Sequence, residues 1–346
     1  MKKYKVSIAG ATGRIGNDIV NLLHERKFPI SQLIPLSSHN SAGRDVIFGD
    51  RKIPAQDIEN YNFKGDDIIF FALDDEPTKK YVERALKESH GTIIDNSSVF
   101  RMKNDTALII GGVNDELIHN SGGRIIANPN CCAIPLAIIL HAIIENSNLK
   151  IKRVNISTYQ SVSGAGTQAM NELLHDTKEK FAAPFQNKDE EKEKIFEKQI
   201  AFNCIPKIGS ILSDGYSTEE RKIIEETRKI LNLPNLLINA TCIRVPVFVG
   251  HGAVIDIEFE DDGEKLSISE AYEILDSSDL IEISDNLANT YHTPIESVKR
   301  DCALVSRLRI DKSVKKGITL WCVSDNLHLG GSLNAVKIAE KLISDS

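Results

Sequence analysis

The sequence predicts an α/β protein with a Rossmann-like N-terminal domain, built on a parallel sheet, and a second domain of α+β type. Three observations point there. A chain of 346 residues is too long for one compact core of ordinary size. Its first third alternates short β-branched runs with helical stretches, and a glycine-rich turn joins the first strand to the first helix. After Cys131 the texture changes to longer strands with period-two alternation, separated by long helices.

In order, Val6–Ala9 reads as a strand and Asn17–Arg26 as a helix; Ser31–Ser37 and Asp67–Ala72 read as strands, and Thr78–Ser89 as a helix. Gly91–Asp95 and Arg124–Ala127 add two further strands. Strand and helix in alternation bury a parallel sheet under helices on both faces. Beyond Cys131, Val154–Tyr159, Thr241–Phe248, Ala253–Phe259 and Ala303–Ile310 are strand-like. A last helix, Leu333–Ile343, follows Asn326-Leu327-His328-Leu329-Gly330-Gly331 and is expected to pack back on the first domain. The expected boundaries are therefore 1–130 completed by 327–346, and 131–326.

Composition excludes several classes of function. A formal net charge of -7 gives no general attraction to nucleic acid or to an anionic membrane. The apolar stretch Cys131–Ile144 is broken by Pro135 and His141 and is too short to span a bilayer. The basic start, Met1-Lys2-Lys3-Tyr4-Lys5, runs directly into a strand without the apolar core of a signal peptide. Six cysteines show neither Cys-x-x-Cys spacing nor a compact disulfide framework, so reduced thiols in a cytoplasmic protein are expected, with no metal. The mixed-sign run Asn187–Gln199 reads as a solvated surface.

Gly10-Ala11-Thr12-Gly13-Arg14-Ile15-Gly16 follows a strand and opens a helix. Glycines at such a turn let the backbone approach a pyrophosphate, which sits on helix N-terminal N–H groups; they also serve a bare strand–helix turn. An NAD site usually places Asp or Glu at the end of the second strand to accept from the ribose 2′-hydroxyl. Here Ser38, His39 and Asn40 stand there, with Arg44 close by and no carboxylate before Asp45. That composition favours NADP.

Asn128-Pro129-Asn130-Cys131-Cys132 lies between a strand and an apolar helix. A cysteine at a helix N-terminus has its thiolate stabilised by the dipole and by unsatisfied N–H groups, although a lone cysteine is more often a small buried hydrophobe. A nucleophilic thiol calls for a partner that titrates near neutrality. Among nine histidines, His251 has the most informative setting. It follows an apolar strand between Gly250 and Gly252, which places it exposed at a strand end. Alone, it is more readily a structural histidine.

Together these segments resemble the aspartate-semialdehyde dehydrogenase family almost end to end. The resemblance is carried by Gly10-Ala11-Thr12-Gly13, Asp95-Asn96-Ser97-Ser98-Val99-Phe100-Arg101-Met102 and Asn128-Pro129-Asn130-Cys131. Thr158 through Gly166, Glu219-Glu220-Arg221-Lys222, Arg244-Val245-Pro246-Val247 with His251, and Asp325-Asn326-Leu327 complete it.

The resemblance implies that the second domain is the catalytic and dimerisation domain, and that the protein works as a homodimer or homotetramer. It implies NADPH-dependent reduction of L-aspartyl 4-phosphate to L-aspartate 4-semialdehyde in lysine (and diaminopimelate), threonine, methionine and isoleucine biosynthesis. Cys131 is then the thiolate nucleophile, His251 the general acid/base, and Gln160 the residue that orients the acyl-enzyme. Arg244 clamps the α-carboxylate, Glu219 accepts the α-ammonium, and Arg101 and Lys222 hold phosphate. Gly10, Thr12, Gly13, Arg14, Ile15, Gly16, Ser38, His39 and Asn40 fall to the cofactor, with Ser163, Gly164 and Asn326 at its nicotinamide end.

Chemistry agrees with this assignment. A dianionic leaving group beside a carbonyl needs cations, and a thioester needs a low-pKa thiol shielded from water. The Cys131 backbone N–H and the Asn130 side chain are expected to face the oxyanion. Three features depart from the family pattern: Cys132 replaces the usual Ser or Thr, Asn40 stands where many members carry Arg, and the charge run Asn187–Gln199 fits no functional motif. Another thioester-forming reductase, such as an N-acetyl-γ-glutamyl-phosphate reductase or a malonyl-CoA reductase, and a non-catalytic NADP-binding sensor are the alternatives.

Overall fold

The computed structural model describes residues 2–120, 123–182, 194–284 and 290–344. Most of the charge run Asn187–Gln199 therefore lies outside the described residues. By compactness the chain forms two units. One comprises Met1–Ile134, Lys229–Leu233 and His328–Ser346; the other comprises Pro135–Arg228 and Pro234–Leu327.

In the first unit, strands β1 (Tyr4–Ala9), β2 (Ile30–Ser37), β3 (Asp45–Phe48), β4 (Arg51–Pro54) and β5 (Gln56–Asp57) precede β6 (Ile68–Phe71), β7 (Thr92–Asp95), β8 (Ala107–Leu108) and β9 (Ile125–Ala127). Seven of them make one sheet in the order β5-β2-β1-β6-β7-β9-β8, and every pairing in it is parallel. β3 and β4 form a separate antiparallel hairpin. Strand β6, Ile-Ile-Phe-Phe, is buried at all four positions, as a central parallel strand covered on both faces should be.

Around this sheet lie helices α1 (Arg14–Glu25), α2 (Asp75–Glu88) and the short α3 (Leu117–Asn120). Ile19, Val20, Leu22 and Leu23 form the buried stripe of α1. Phe63, Phe71, Leu36, Ile69 and Ile93 belong to a core cluster that includes Val82 and Ala85 of α2. Burying each such side chain stabilises the fold by about 1.5–3 kcal/mol.

Helix α4 (Ala133–Asn146) is apolar on all sides from Ala133 to Leu140 and is buried accordingly; the division between units falls within it. The second unit continues with β10 (Ile151–Gln160), α5 (Gly166–Ala182), α6 (Thr218–Ile230, whose last two residues group with the first unit), β11 (Leu237–Arg244) and β12 (His251–Phe259). Then come α7 (Ile268–Asp276), β13 (Ile281–Ile283), β14 (Ala303–Ile310) and β15 (Gly317–Ser324). Its mixed sheet runs β11-β10-β12-β15-β14-β13. The chain closes in the first unit with helix α8 (Asn334–Ser344), where Arg26, directly after α1, grips Glu340 through two 2.8 Å hydrogen bonds.

The fold class is the one that the sequence predicts, a parallel α/β sheet followed by a mixed-sheet α+β domain. Two local expectations are corrected. The strand expected over Thr241–Phe248 begins earlier and ends at Arg244, because Pro246 has no N–H for the ladder and Val247 N–H closes a tight turn onto Val245 O at 2.8 Å. His251 does not trail an apolar strand at the surface; it opens β12 and is 3% exposed. Strand β15 and the β3–β4 hairpin are absent from the sequence reading.

Candidate active site

The register of three strands does most of the assembly in the second unit. β10 pairs parallel with β11, setting Gln160 beside Arg244, and antiparallel with β12, setting Tyr159 beside Gly252. Gln160 and Arg244 end their strands while His251 begins its own, so all three side chains arrive at one edge of the sheet. All are buried: Gln160 at 1%, Arg244 at 6% and His251 at 3% exposure.

Each is fixed by hydrogen bonds. Gln160 Nε2 donates to Glu219 Oε1 at 3.1 Å, and its Oε1 accepts from Thr158 Oγ1 at 3.1 Å. Arg244 Nη1 donates to Ser161 O at 2.7 Å. His251 Nδ1 accepts from Ser161 N–H at 3.0 Å, with Ser161 Oγ at 3.0 Å from the same nitrogen. A side chain on Gly164 would begin 3.1 Å from Arg244 Nη1 and 3.4 Å from His251 Nε2, so this glycine keeps open the space in front of both. Asn326 Oδ1 accepts from Gly250 N–H at 3.0 Å and from Ser161 Oγ at 3.1 Å, and its Nδ2 donates to Ser163 Oγ at 3.0 Å.

Glu219 lies in the first turn of α6, but it is not the residue that caps the helix. Ser217 and Glu220 do that reciprocally: Ser217 N–H donates to Glu220 Oε2 at 2.6 Å, and Glu220 N–H to Ser217 Oγ at 3.3 Å. Glu219 instead faces Gln160, with Lys222 Nζ 4.0 Å from its Oε2. The Lys222 side chain is 37% exposed, as a solvated cation would be.

The first unit brings together a different set. Asn130 starts α4: its side-chain oxygen accepts from Cys132 N–H at 2.8 Å and Ala133 N–H at 3.3 Å, and its carbonyl from Ile134 N–H at 3.0 Å. Cys131 follows in the turn that leads into α4, half-buried, whereas Cys132 is buried at 4%. The π-type turn His328–Leu333 lies against Cys131, and a Cβ on Gly330 would sit 2.7 Å from the Cys131 Cβ. Asn334 steadies this loop by donating to Asn128 Oδ1 at 2.6 Å and to Ile109 O at 2.8 Å.

Arg101 is buried at 8%, and its Nη2 donates to Asn96 O at 2.8 Å. Asp95 anchors the same loop, accepting from Ser97 N–H at 3.0 Å and Ser97 Oγ at 2.7 Å. Burial pushes the Asp95 carboxyl up, against the pull of those Ser97 hydrogen bonds.

At the glycine turn, a Cβ on Gly10 would strike Ala72 O, and one on Gly16 would strike Gly10 O. Helix α1 begins after Gly13 without a side-chain cap, so N–H groups around Thr12, Arg14 and Ile15 open toward an anion. This turn fits a dinucleotide pyrophosphate. Ser38, His39 and Asn40 are exposed beyond β2, and Arg44 is exposed nearby.

Sequence reasoning missed four residues. β5 pairs with the end of β2 and brings Asp57 to that corner, where His39 Nδ1 lies 2.9 Å from Asp57 Oδ2. The hydrogen bond from His39, and then one from Glu59 N–H, hold the Asp57 carboxyl below its ordinary range. Gly330, Asn334 and Ser161 likewise carry no role in that reasoning, since only tertiary contact reveals them. Ser161 alone had a signal, its position directly after Gln160.

No helix of the described residues is long and apolar enough to cross a membrane. The family model "Semialdehyde dehydrogenase, NAD binding domain" matches residues 5–121, and "Semialdehyde dehydrogenase, dimerisation domain" matches residues 140–329. The chain is 42% identical to the aspartate-semialdehyde dehydrogenase of Rickettsia conorii and 38% identical to that of Aquifex aeolicus. It aligns over 99% of its length with both, covering 99% and 98% of those proteins. A crystal structure of aspartate semialdehyde dehydrogenase II from Vibrio cholerae, complexed with ASA, superposes with a TM-score of 0.91 at 35% identity, covering 100% of this chain and 99% of that one. The chain belongs to the aspartate-semialdehyde dehydrogenase family.

Proposed function

We propose that this chain reduces L-aspartyl 4-phosphate to L-aspartate 4-semialdehyde and phosphate with NADPH, through an acyl thioester on Cys131. Full-length relatives that bear this activity in their names support the substrate, as does the related structure holding ASA. The observation that carries the reading is the buried set Gln160, Arg244 and His251 at one end of the sheet, with Glu219 of α6 on Gln160 and with Arg244 and His251 facing the space that Gly164 leaves open.

In this scheme the Cys131 thiolate, favoured by its place just before α4, attacks the acyl carbon and phosphate leaves. NADPH, when bound, supplies the hydride that reduces the thioester. The resulting oxyanion collapses to the aldehyde and expels Cys131 as thiolate, ready for another turn. Arg244 receives the α-carboxylate, where a guanidinium fork gives orientation as well as charge. Glu219 receives the α-ammonium, Gln160 orients the acyl group, and Arg101 and Lys222 receive phosphate. Asn130 Nδ2 and the Cys131 N–H are the donors toward the oxyanion, and His251 is the acid/base group.

For the cofactor, the Gly10–Gly16 turn receives the pyrophosphate; Ser38, His39 and Asn40 face the adenosine end, and Ser163, Gly164 and Asn326 the nicotinamide end. We further propose a cytoplasmic homodimer or homotetramer assembled through residues 140–329, in lysine, threonine, methionine and isoleucine biosynthesis. The matched dimerisation-domain model supports the assembly, and six cysteines outside any disulfide support the compartment.

The test is mass spectrometry of the protein incubated with aspartate semialdehyde and NADP at limiting phosphate. An aspartyl adduct on the Cys131 peptide is expected. An unmodified Cys131, or turnover of N-acetyl-γ-glutamyl phosphate in place of aspartyl phosphate, contradicts the reading.

A further inference from the structure

Cys131 and Cys132 are adjacent in the chain and are the only cysteines of the first unit; Cys204, Cys242, Cys302 and Cys322 all belong to the second. The two differ in access, since Cys131 is half-buried and Cys132 is 4% exposed. Their sulfurs are nevertheless close, with the two Sγ atoms within 4.8 Å of each other. Both residues stand in the turn before α4, and Asn130 Oδ1 holds that turn through Cys132 N–H at 2.8 Å.

A thiolate within reach of solvent is the form of cysteine that peroxides oxidise, first to a sulfenic acid and then, irreversibly, to a sulfinic acid. Cys131 has the access, and the start of α4 supports its thiolate. Cys132 is shut away from a dissolved oxidant but not from its neighbour. A thiol held beside a sulfenic acid reacts in a unimolecular step, ahead of any thiol or oxidant that must diffuse in.

We propose that Cys131 and Cys132 form a reversible oxidative modification site, in which Cys132 is the resolving thiol that captures oxidised Cys131 as a vicinal disulfide. The oxidant is hydrogen peroxide, and the steps balance. The Cys131 thiolate attacks one peroxide oxygen; an S–O bond forms, the O–O bond breaks, and the departing hydroxide takes a proton from solvent to become water. The Cys132 sulfur then attacks the sulfenic sulfur. An S–S bond forms, the S–O bond breaks, and the leaving hydroxide takes the Cys132 proton as a second water. The two electrons given up by the sulfurs are those that reduce the peroxide. Adjacent Cα atoms stand about 3.8 Å apart across a trans peptide, closer than the roughly 4.4–6.8 Å that disulfides favour. The ring therefore strains the turn, and a strained disulfide is readily reduced by a dithiol, which returns both thiols. That the oxidised protein is inactive rests on the acyl-thioester reading; the disulfide itself does not.

The test compares the native protein with Cys132→Ser. Both are treated with hydrogen peroxide, quenched with catalase, alkylated with iodoacetamide and mapped by mass spectrometry, and both are assayed before and after dithiothreitol. Untreated, they should be equally active, because Cys132 takes no part in the reaction. In the native protein the peptide that holds both cysteines should escape alkylation and weigh two hydrogens less. Its activity should be lost and should return on reduction. In Cys132→Ser the same treatment should leave two added oxygens on Cys131 and a loss of activity that dithiothreitol does not reverse. A sulfinic acid on native Cys131 without the vicinal disulfide, a disulfide from Cys131 to a cysteine of the second unit, or equal recovery of the two proteins would overturn the proposal. Mass and activity are read separately, so the two readings fail separately. A vicinal disulfide that forms while turnover persists would keep the modification site and remove Cys131 from the mechanism.

Discussion

The two units build their reactive groups by different means. In the first, the backbone does the work: α1 opens without a side-chain cap behind Gly13, and Cys131 sits in the Asn130-capped turn that leads into α4. In the second, the groups are side chains at strand ends, held by hydrogen bonds that link β10, β11, β12 and the start of α6. A site built on a helix terminus depends on a few contiguous residues. A site built on strand ends depends on the register of segments about 90 residues apart in the chain, and on a ring of supporting groups such as Ser161 and Asn326. Damage should therefore be all-or-none for the nucleophile and graded for the second unit.

Cys131→Ala is the severest break. Without the nucleophile no thioester forms, and kcat should fall on the order of 10⁴-fold or more while NADPH binding, followed by fluorescence titration, persists. Retention of full reductase activity would remove Cys131 from the mechanism. Arg244→Leu tests the graded side. Losing a charge-assisted hydrogen-bonding pair costs about 1.5–3 kcal/mol, so KM for aspartate semialdehyde should rise roughly 10- to 10²-fold with NADP affinity unchanged. Steady-state kinetics with the cofactor saturating would show it, and an unaltered KM would argue against the clamp.

The same contrast governs what could be read before the fold was known. The glycine turn and Asn-Pro-Asn-Cys are contiguous, and their physics is local, so the nucleotide turn and the thiol at a helix start were visible from spacing. Parallel strands such as Ile68–Phe71 were visible as unbroken apolar runs. His251 was placed at the surface because flanking glycines look like a loop; its burial depends on β12 pairing with β10 and β15, which no local pattern encodes. Asp57 escaped notice for a similar reason. It reaches the end of β2 through the two-residue strand β5, some twenty residues along the chain. Gln160, Glu219 and Arg244 carried no local signal and were legible only through resemblance to a family.

Within the glycine turn, two substitutions separate folding from ligand approach. A Cβ at Gly16 would collide with backbone, the carbonyl of Gly10 and the Cα of Ala11 at 2.9 Å, so the helix must shift. Gly16→Ala should cost about 1–3 kcal/mol of stability, seen as a lowered Tm. At Gly13 the nearest atom, Gly10 O, is 3.2 Å away and φ is -81°, which Ala adopts without strain. Gly13→Ala should leave Tm nearly unchanged and weaken NADP binding. Equal effects on Tm would mean that the two glycines do one job.

The mildest test perturbs no residue. It ranks the thiols by rate of alkylation, because thiolate fraction and access set that rate. Cys132, Cys242 and Cys322 are buried, and burial pushes the Cys322 thiol up to about 12. Cys302 is half-buried; burial, and then the Glu282 carboxylate, push its thiol up despite the opposing pull of Arg300. Cys204 is exposed. At pH 7, Cys131 should therefore react first and Cys204 second, with the other four lagging. The sign of the pH dependence follows from the direction of the shift. A raised thiol holds less thiolate at any given pH, so labelling of Cys302 should climb only above the ordinary thiol range of about 8.5, while that of Cys131 is already near its plateau at neutral pH. Peptide mapping after timed iodoacetamide pulses at pH 7 and pH 9 reads all six at once. If Cys131 and Cys204 gained equally between the two pH values, the start of α4 would be giving the sulfur no help, and the backbone-built half of the comparison would fail.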